Sequence, residues 1–183
     1  MDHSHIVTRF DKDLSEIESL LVEMADLVAK QISDSALALQ LGDNQLAKAV
    51  TKNDSKINRL EEKIDDKAIR LIALRQPMAE DLRSAITTLK VSNCLERMGD
   101  YAKTLSYRAR KVDDFSAMKS ILRSITETSE KIINMLNVVM EAYVNRDLNK
   151  AYDAREADQE INDKTDALFR ELLTYMMENP RNI

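Results

Sequence analysis

The chain has 183 residues, 44% of them hydrophobic and 32% charged, and a formal net charge of −5. Only two glycines and two prolines, no tryptophan and 4% aromatic residues leave little material for the turns and faces of a β-rich domain. The negative charge argues against general nucleic-acid binding, which relies on a basic face.

Five long helices are expected, and the predicted fold class is all-α. The first runs from about Ile6 to Leu41, with Phe10, Leu14, Ile17, Leu21, Met24 and Val28 at helical spacing. Gly42-Asp43 then supplies a stop and a restart, the glycine closing one helix and the aspartate capping the next. The second helix reaches Leu74 and carries Val50, Ile57, Leu60, Ile64, Ala68 and Leu71. Gln76-Pro77 breaks it. The third runs to about Arg110, and Leu82, Ile86, Leu89 and Asn93 fall in line on it with Glu96 and Asp100, as an inward-looking stripe that turns from apolar to acidic. After the polar segment Lys111–Ser116, the fourth carries Met118, Ile121, Leu122, Ile125, Ile132, Leu136, Val139 and Tyr143. Asn145–Asp147 separates it from the fifth, which ends near Asn179-Pro180. Helices this long joined by short turns double back on their neighbours, so an antiparallel up-down bundle is expected. No apolar run approaches the ~20 residues that span a bilayer. Met1-Asp-His-Ser-His does not read as a signal peptide, and the one cysteine, Cys94, fits a reducing compartment. The expected location is cytoplasmic.

A shift of about 104 positions aligns Asp43 with Asp147, Ala47 with Ala151, Asp54 with Asp158, Ile57 with Ile161 and Asn58 with Asn162. Further on, Ile64, Ala68, Ile69 and Ile72 meet Leu168, Leu172, Leu173 and Met176. The second helix thus resembles the fifth and the first resembles the fourth. The repeat predicts a division into residues 1–112 and 113–183, the second part lacking the counterpart of the third helix. An apolar groove would then be left for the rest of a longer chain or for another chain to fill.

Glu96 and Asp100 stand one turn apart on one side of the third helix. Asp54, Asn58, Glu61 and Asp65 share one face of the second. If these helices pack side by side, two carboxylate rows meet, and oxygen-rich clusters suit Mg²⁺, Mn²⁺ or iron. The plain alternative is a solvated face with ion pairs to Arg97 and Arg83. Asp81 and Arg83 sit in the first turns after Pro77, where Asp81 favours the helix N-terminus and Arg83 would pair with a carboxylate or phosphate. His3 and His5 form an HxH in a terminal segment that reads as a frayed tail. Cys94 and the nine methionines read as core packing, some methionines as a partner groove. Neither a Glu-x-x-His motif of di-iron bundles nor a Gly-rich phosphate loop is present.

Residues 71–83, LIALRQPMAEDLR, followed by LERMGDYAKTL at 95–105, resemble the PhoU family of regulators of bacterial high-affinity phosphate uptake. TYMMENPRNI at 174–183 resembles the matching point of that family's second repeat. The resemblance implies two three-helix bundles and an acidic E(D)xxxD motif that in relatives binds iron or zinc clusters; here Glu96 and Asp100 match it. Members continue into a sixth helix with a second such motif, which this sequence lacks. The implied function is a non-enzymatic negative regulator of the phosphate-starvation response. It would couple the phosphate transporter's ATPase subunit to a membrane sensor histidine kinase, as a homodimer without membrane insertion of its own. A metal-dependent phosphohydrolase or metal-storage bundle is the rival from another class, and a plain structural bundle acting through dimerisation alone is a third.

Overall fold

The computed structural model describes residues 3–112 and 118–178, with side chains from residue 9 onward. Among these residues every regular element is helical: α1 His3–Leu41, α2 Asn44–Arg75, α3 Glu80–Ala109, α4 Lys119–Asn145 and α5 Leu148–Glu178. The histidine side chains of the HxH, the Asp113–Ser116 part of the polar connection and the Asn179-Pro180 stop lie outside the described residues.

Two of the turns have the same construction. Gly42 is left-handed at φ 63. Its N–H donates to Leu39 O, and that of Asp43 to Ala38 O at 2.9 Å, so the last carbonyls of α1 are satisfied in a Schellman arrangement. The Asp43 carboxylate then accepts from the N–H groups of Gln45 and Leu46 at 2.8 and 3.0 Å, which caps α2. At the end of α4, Arg146 takes the left-handed conformation at φ 55, Asp147 N–H reaches Ala142 O at 2.9 Å, and Asp147 caps α5 through Asn149 and Lys150. The Gln76–Ala79 break differs: both of these residues are left-handed without being glycine.

The chain forms two compact units. One comprises Met1–Gln31 and Lys52–Tyr101, and the other Ile32–Thr51 and Ala102–Ile183. In the first, Ile17, Leu21, Met24 and Val28 of α1 are buried with Ile57, Leu60, Ile64, Ala68 and Leu71 of α2. Each large aliphatic side chain withdrawn from water there is worth roughly 1.5–3 kcal/mol. Arg75 donates to Asp13 at 2.9 Å and Lys67 to Glu16 at 2.9 Å, tying α1 to α2 at the surface. In the second unit, Leu39, Ala109 and Leu122 form a core flanked by Leu105, Met118 and Ile125. α4 packs on α5, with Lys131 bound to Glu160 and Lys150 to Glu141. α5 buries only Ala154 and Ile161 and leaves Tyr152, Phe169, Leu173 and Met177 exposed.

The buried face of α3 is not the expected stripe. Ala85, Thr88, Ser92, Leu95, Gly99 and Ala102 are buried, whereas Ile86 is 41% exposed and Asn93 faces water. Small side chains let the helix backbone approach its neighbours, so the contact line follows size more than hydrophobicity. Glu96 and Asp100 consequently lie half-buried at the rim, not on the packed face. Cys94, expected in the core, is exposed beside that line. Met24 and Met140 do fill core positions, while Met78 and Met177 are exposed.

Candidate functional site

The two acidic rows meet within the first unit. Asp54, Glu61 and Asp65 come from α2, at spacings that keep them on one side of the helix. Glu96 and Asp100 come from α3. Burial, then the neighbouring charges of Asp100 and Glu61, hold the Glu96 carboxyl above its usual range; Asp100 is within hydrogen-bonding reach and Asp54 adds a smaller repulsion. Glu61 is raised by burial and by Asp65, with further repulsion from Glu62 and Asp100, against a hydrogen bond with Asn93 that lowers it. Asp65 is raised by burial and by Asp66. Carboxylates from two helices thus disfavour each other's ionisation, an arrangement that a cation relieves.

Asp54 differs from the others in being buried, 3% exposed. Gln31 of α1 donates to its Oδ1 at 2.9 Å. One turn along the same row, Asn58 has a buried side-chain oxygen with no hydrogen-bond partner.

The remaining sequence candidates are not gathered here. Asp81 and Arg83 are exposed in the first turns of α3, where their main-chain N–H groups donate to Met78 O and Ala79 O. From Arg83 to Glu96 the helix rises about 20 Å. Arg97 is exposed and donates to the Tyr101 hydroxyl at 3.1 Å, which raises its pKa further.

The donor set fits a hard or borderline cation in chemistry: it is all oxygen, it is mutually repulsive, and it includes an orphaned amide oxygen. As the side chains stand, no group of three or more His, Cys, Asp or Glu among the described residues is drawn together closely enough to hold an ion. The fit is therefore one of chemistry and proximity, not of a formed coordination shell.

Two residues that bond to the acidic rows escape sequence reasoning. Gln31 is one, and its signal is a polar residue between Val28 and Ile32 on an otherwise apolar face. Asn93 is the other: its spacing puts it on an inward stripe, whereas it is exposed and its amide bonds the Glu61 carboxylate. Among the described residues no helix is long and apolar enough to cross a membrane.

Known proteins resemble this chain in sequence and in fold over most of their length. The family model described as the PhoU domain matches residues 21–109 and 125–183. A phosphate-specific transport system accessory protein PhoU homolog of Caulobacter vibrioides (strain NA1000 / CB15N) is 38% identical over 179 residues, covering 98% of this chain and 78% of that protein. The homolog of Rhizobium meliloti (strain 1021) is 38% identical over 183 residues, covering 100% of this chain and 77% of its own. The crystal structure of PhoU from Pseudomonas aeruginosa superposes with a TM-score of 0.88 at 32% identity, over 94% of this chain and 83% of that one. By the family match and by identity over nearly its whole length, this chain belongs to the PhoU family.

Proposed function

We propose that the protein is an accessory regulator of phosphate transport. It acts in the cytoplasm as a negative regulator of the phosphate-starvation response, coupling the ATPase subunit of the phosphate transporter to a sensor histidine kinase. The observation that carries this reading is the 38% identity, over 98% of the chain, to a protein named as a phosphate-specific transport system accessory protein. The helical faces support docking as its mode of action, since long apolar and charged faces suit partner helices. Exposed Phe169, Leu173 and Met177 on α5 favour a protein-facing surface there, in a homodimer or against another partner. The division by sequence repeat, residues 1–112 and 113–183 in antiparallel helices, belongs to the same reading.

In this reading the acidic rows hold metal. Glu96 and Asp100 would be the main ligands, with Asp54, Glu61 and Asp65 as the facing row, and the group would be an iron or zinc cluster, or Mg²⁺ or Mn²⁺. A bound cation would supply positive charge that holds α2 and α3 at one separation, without turnover. The chain's own contribution is to present half-buried carboxylates whose mutual repulsion is relieved on binding. Asp81, Arg83 and Arg97 would contact partners or anions from the exposed face of α3.

Affinity capture with the transporter ATPase subunit and with the kinase's cytoplasmic part tests the proposal. Retention of at least one partner is expected, and retention of neither overturns it. Metal analysis paired with a phosphoester hydrolysis assay addresses the rival enzymatic reading: stoichiometric metal without turnover fits the regulator, and metal-dependent turnover abolished by Glu96→Ala favours the hydrolase.

A further inference from the structure

One side chain joins the carboxylate rows of α2 and α3 to α1. Gln31 is 4% exposed, and its amide nitrogen donates to Asp54 Oδ1 at 2.9 Å and to the Gly99 carbonyl at 3.0 Å. A carboxamide nitrogen carries two N–H groups, so both are committed. The orientation of the amide is thereby fixed, because a flip would set its oxygen against two acceptors. The two acceptors lie on different helices. Asp54 belongs to the α2 row, and Gly99 lies between Glu96 and Asp100 in α3.

Gly99 is part of the same device. A Cβ there would stand 3.0 Å from Ile57 Cδ1 and 3.7 Å from Gln31 Nε2. Glycine lets the α3 backbone come close enough for an amide on α1 to reach its carbonyl.

The second half of the chain provides an internal comparison. The shift of about 104 that aligns Asp54 with Asp158 places Met135 where Gln31 stands. Methionine has no N–H to donate. Asp158 is exposed, and it accepts from Asn162 of its own helix at 3.1 Å. In that part, which holds no counterpart of α3, the equivalent carboxylate bonds within its own helix.

We propose that Gln31 is a positioning residue: it holds Asp54 inward and sets the separation between the α2 carboxylate row and the Glu96–Asp100 segment of α3. The consequence for metal, that this separation governs how tightly the rows take a divalent cation, rests on the metal reading above.

The test compares wild type, Q31M, which copies the second half, and E96A/D100A, using Mn²⁺ as the probe. In metal-free crystals of Q31M, the Asp54 carboxylate is expected to leave its wild-type position and the rows to shift. In titration calorimetry the Mn²⁺ affinity of Q31M is expected to fall about 10–100-fold. The core variant I17V controls for stability and should keep wild-type affinity. Superposition of Asp54 and of residues 96–100 on the wild type overturns the inference, as does unchanged Mn²⁺ affinity in Q31M while E96A/D100A loses it. Wild type without Mn²⁺ binding overturns the metal reading alone, and the Q31M crystal structure still decides the positioning role. If Q31M fails to fold, NMR of the wild type decides. The Gln31 side-chain amide protons should exchange much more slowly than those of exposed Gln40, and equal exchange overturns the inference.

Discussion

At the scale of single residues, the packing around Gly99 gives a sharp test. Alanine at position 99 gains helix propensity worth about 1 kcal/mol, but its methyl would meet Ile57 Cδ1 at 3.0 Å, and overpacking of this kind costs about 1–3 kcal/mol. Gly99→Ala is therefore expected to destabilise by about 1 kcal/mol in urea unfolding. Combined with Ile57→Val, which removes the opposing methyl, the loss should be smaller than the sum of the two single losses. A second residue-scale prediction follows from Glu96. Its pKa is raised in the folded state by burial and by Asp100, so folding favours its protonated form. Its ionisation then costs stability as pH rises through the window that opens at its ordinary value, 4.5. In metal-free protein Glu96→Gln should be more stable than wild type at neutral pH, with the difference vanishing below that value; no difference at any pH would contradict the electrostatic account. Gln31 was hard to anticipate for a physical reason. A polar residue on an apolar helical face is informative only when its partners are known, and these lie 23 and 68 positions away in sequence. Glu96 and Asp100 were legible because their spacing alone puts them on one side of a helix. Whether they meet another acidic row depends on packing that spacing does not encode.

At the scale of elements, the turn chemistry proved more legible than the packing. Gly42-Asp43 announces a stop and a cap, and the structure has both. Its echo at Arg146-Asp147 has the same hydrogen bonds without a glycine. A left-handed arginine costs about 1 kcal/mol relative to glycine. Arg146 recovers part of that through its guanidinium, 5.0 Å from the centre of the Tyr143 ring. Gly42→Ala is expected to lose about 1 kcal/mol in chemical denaturation, and Arg146→Gly to gain no more than about 0.5 kcal/mol once the ring contact is lost. A larger gain would mean that the ring contact contributes nothing. The apolar positions named for α2 are all buried. On α3 the same reasoning chose the wrong side, because large residues such as Leu82 and Ile86 define a stripe while small ones such as Ala85, Ser92 and Gly99 make the contact. Hydrophobic periodicity locates a face that prefers to leave water; close packing of helix backbones selects small side chains instead.

At the scale of the whole molecule, five helices and the family were legible from the residues, and the division into packing units was not. Each of α1, α2 and α3 contributes to both units, a grouping that a repeat in sequence does not reveal. If the acidic rows hold metal, saturating Mn²⁺ should stabilise wild type by about 2.7 kcal/mol at one hundred times Kd, and leave Glu96→Ala/Asp100→Ala unmoved in thermal unfolding. Regulation is read out by a reporter driven by a phosphate-starvation promoter, in cells whose own regulator of this family is deleted. With phosphate plentiful, expression of this chain should return the reporter to its repressed level. A reporter that stays fully active while the chain accumulates folded would rule out a repressing role for the protein.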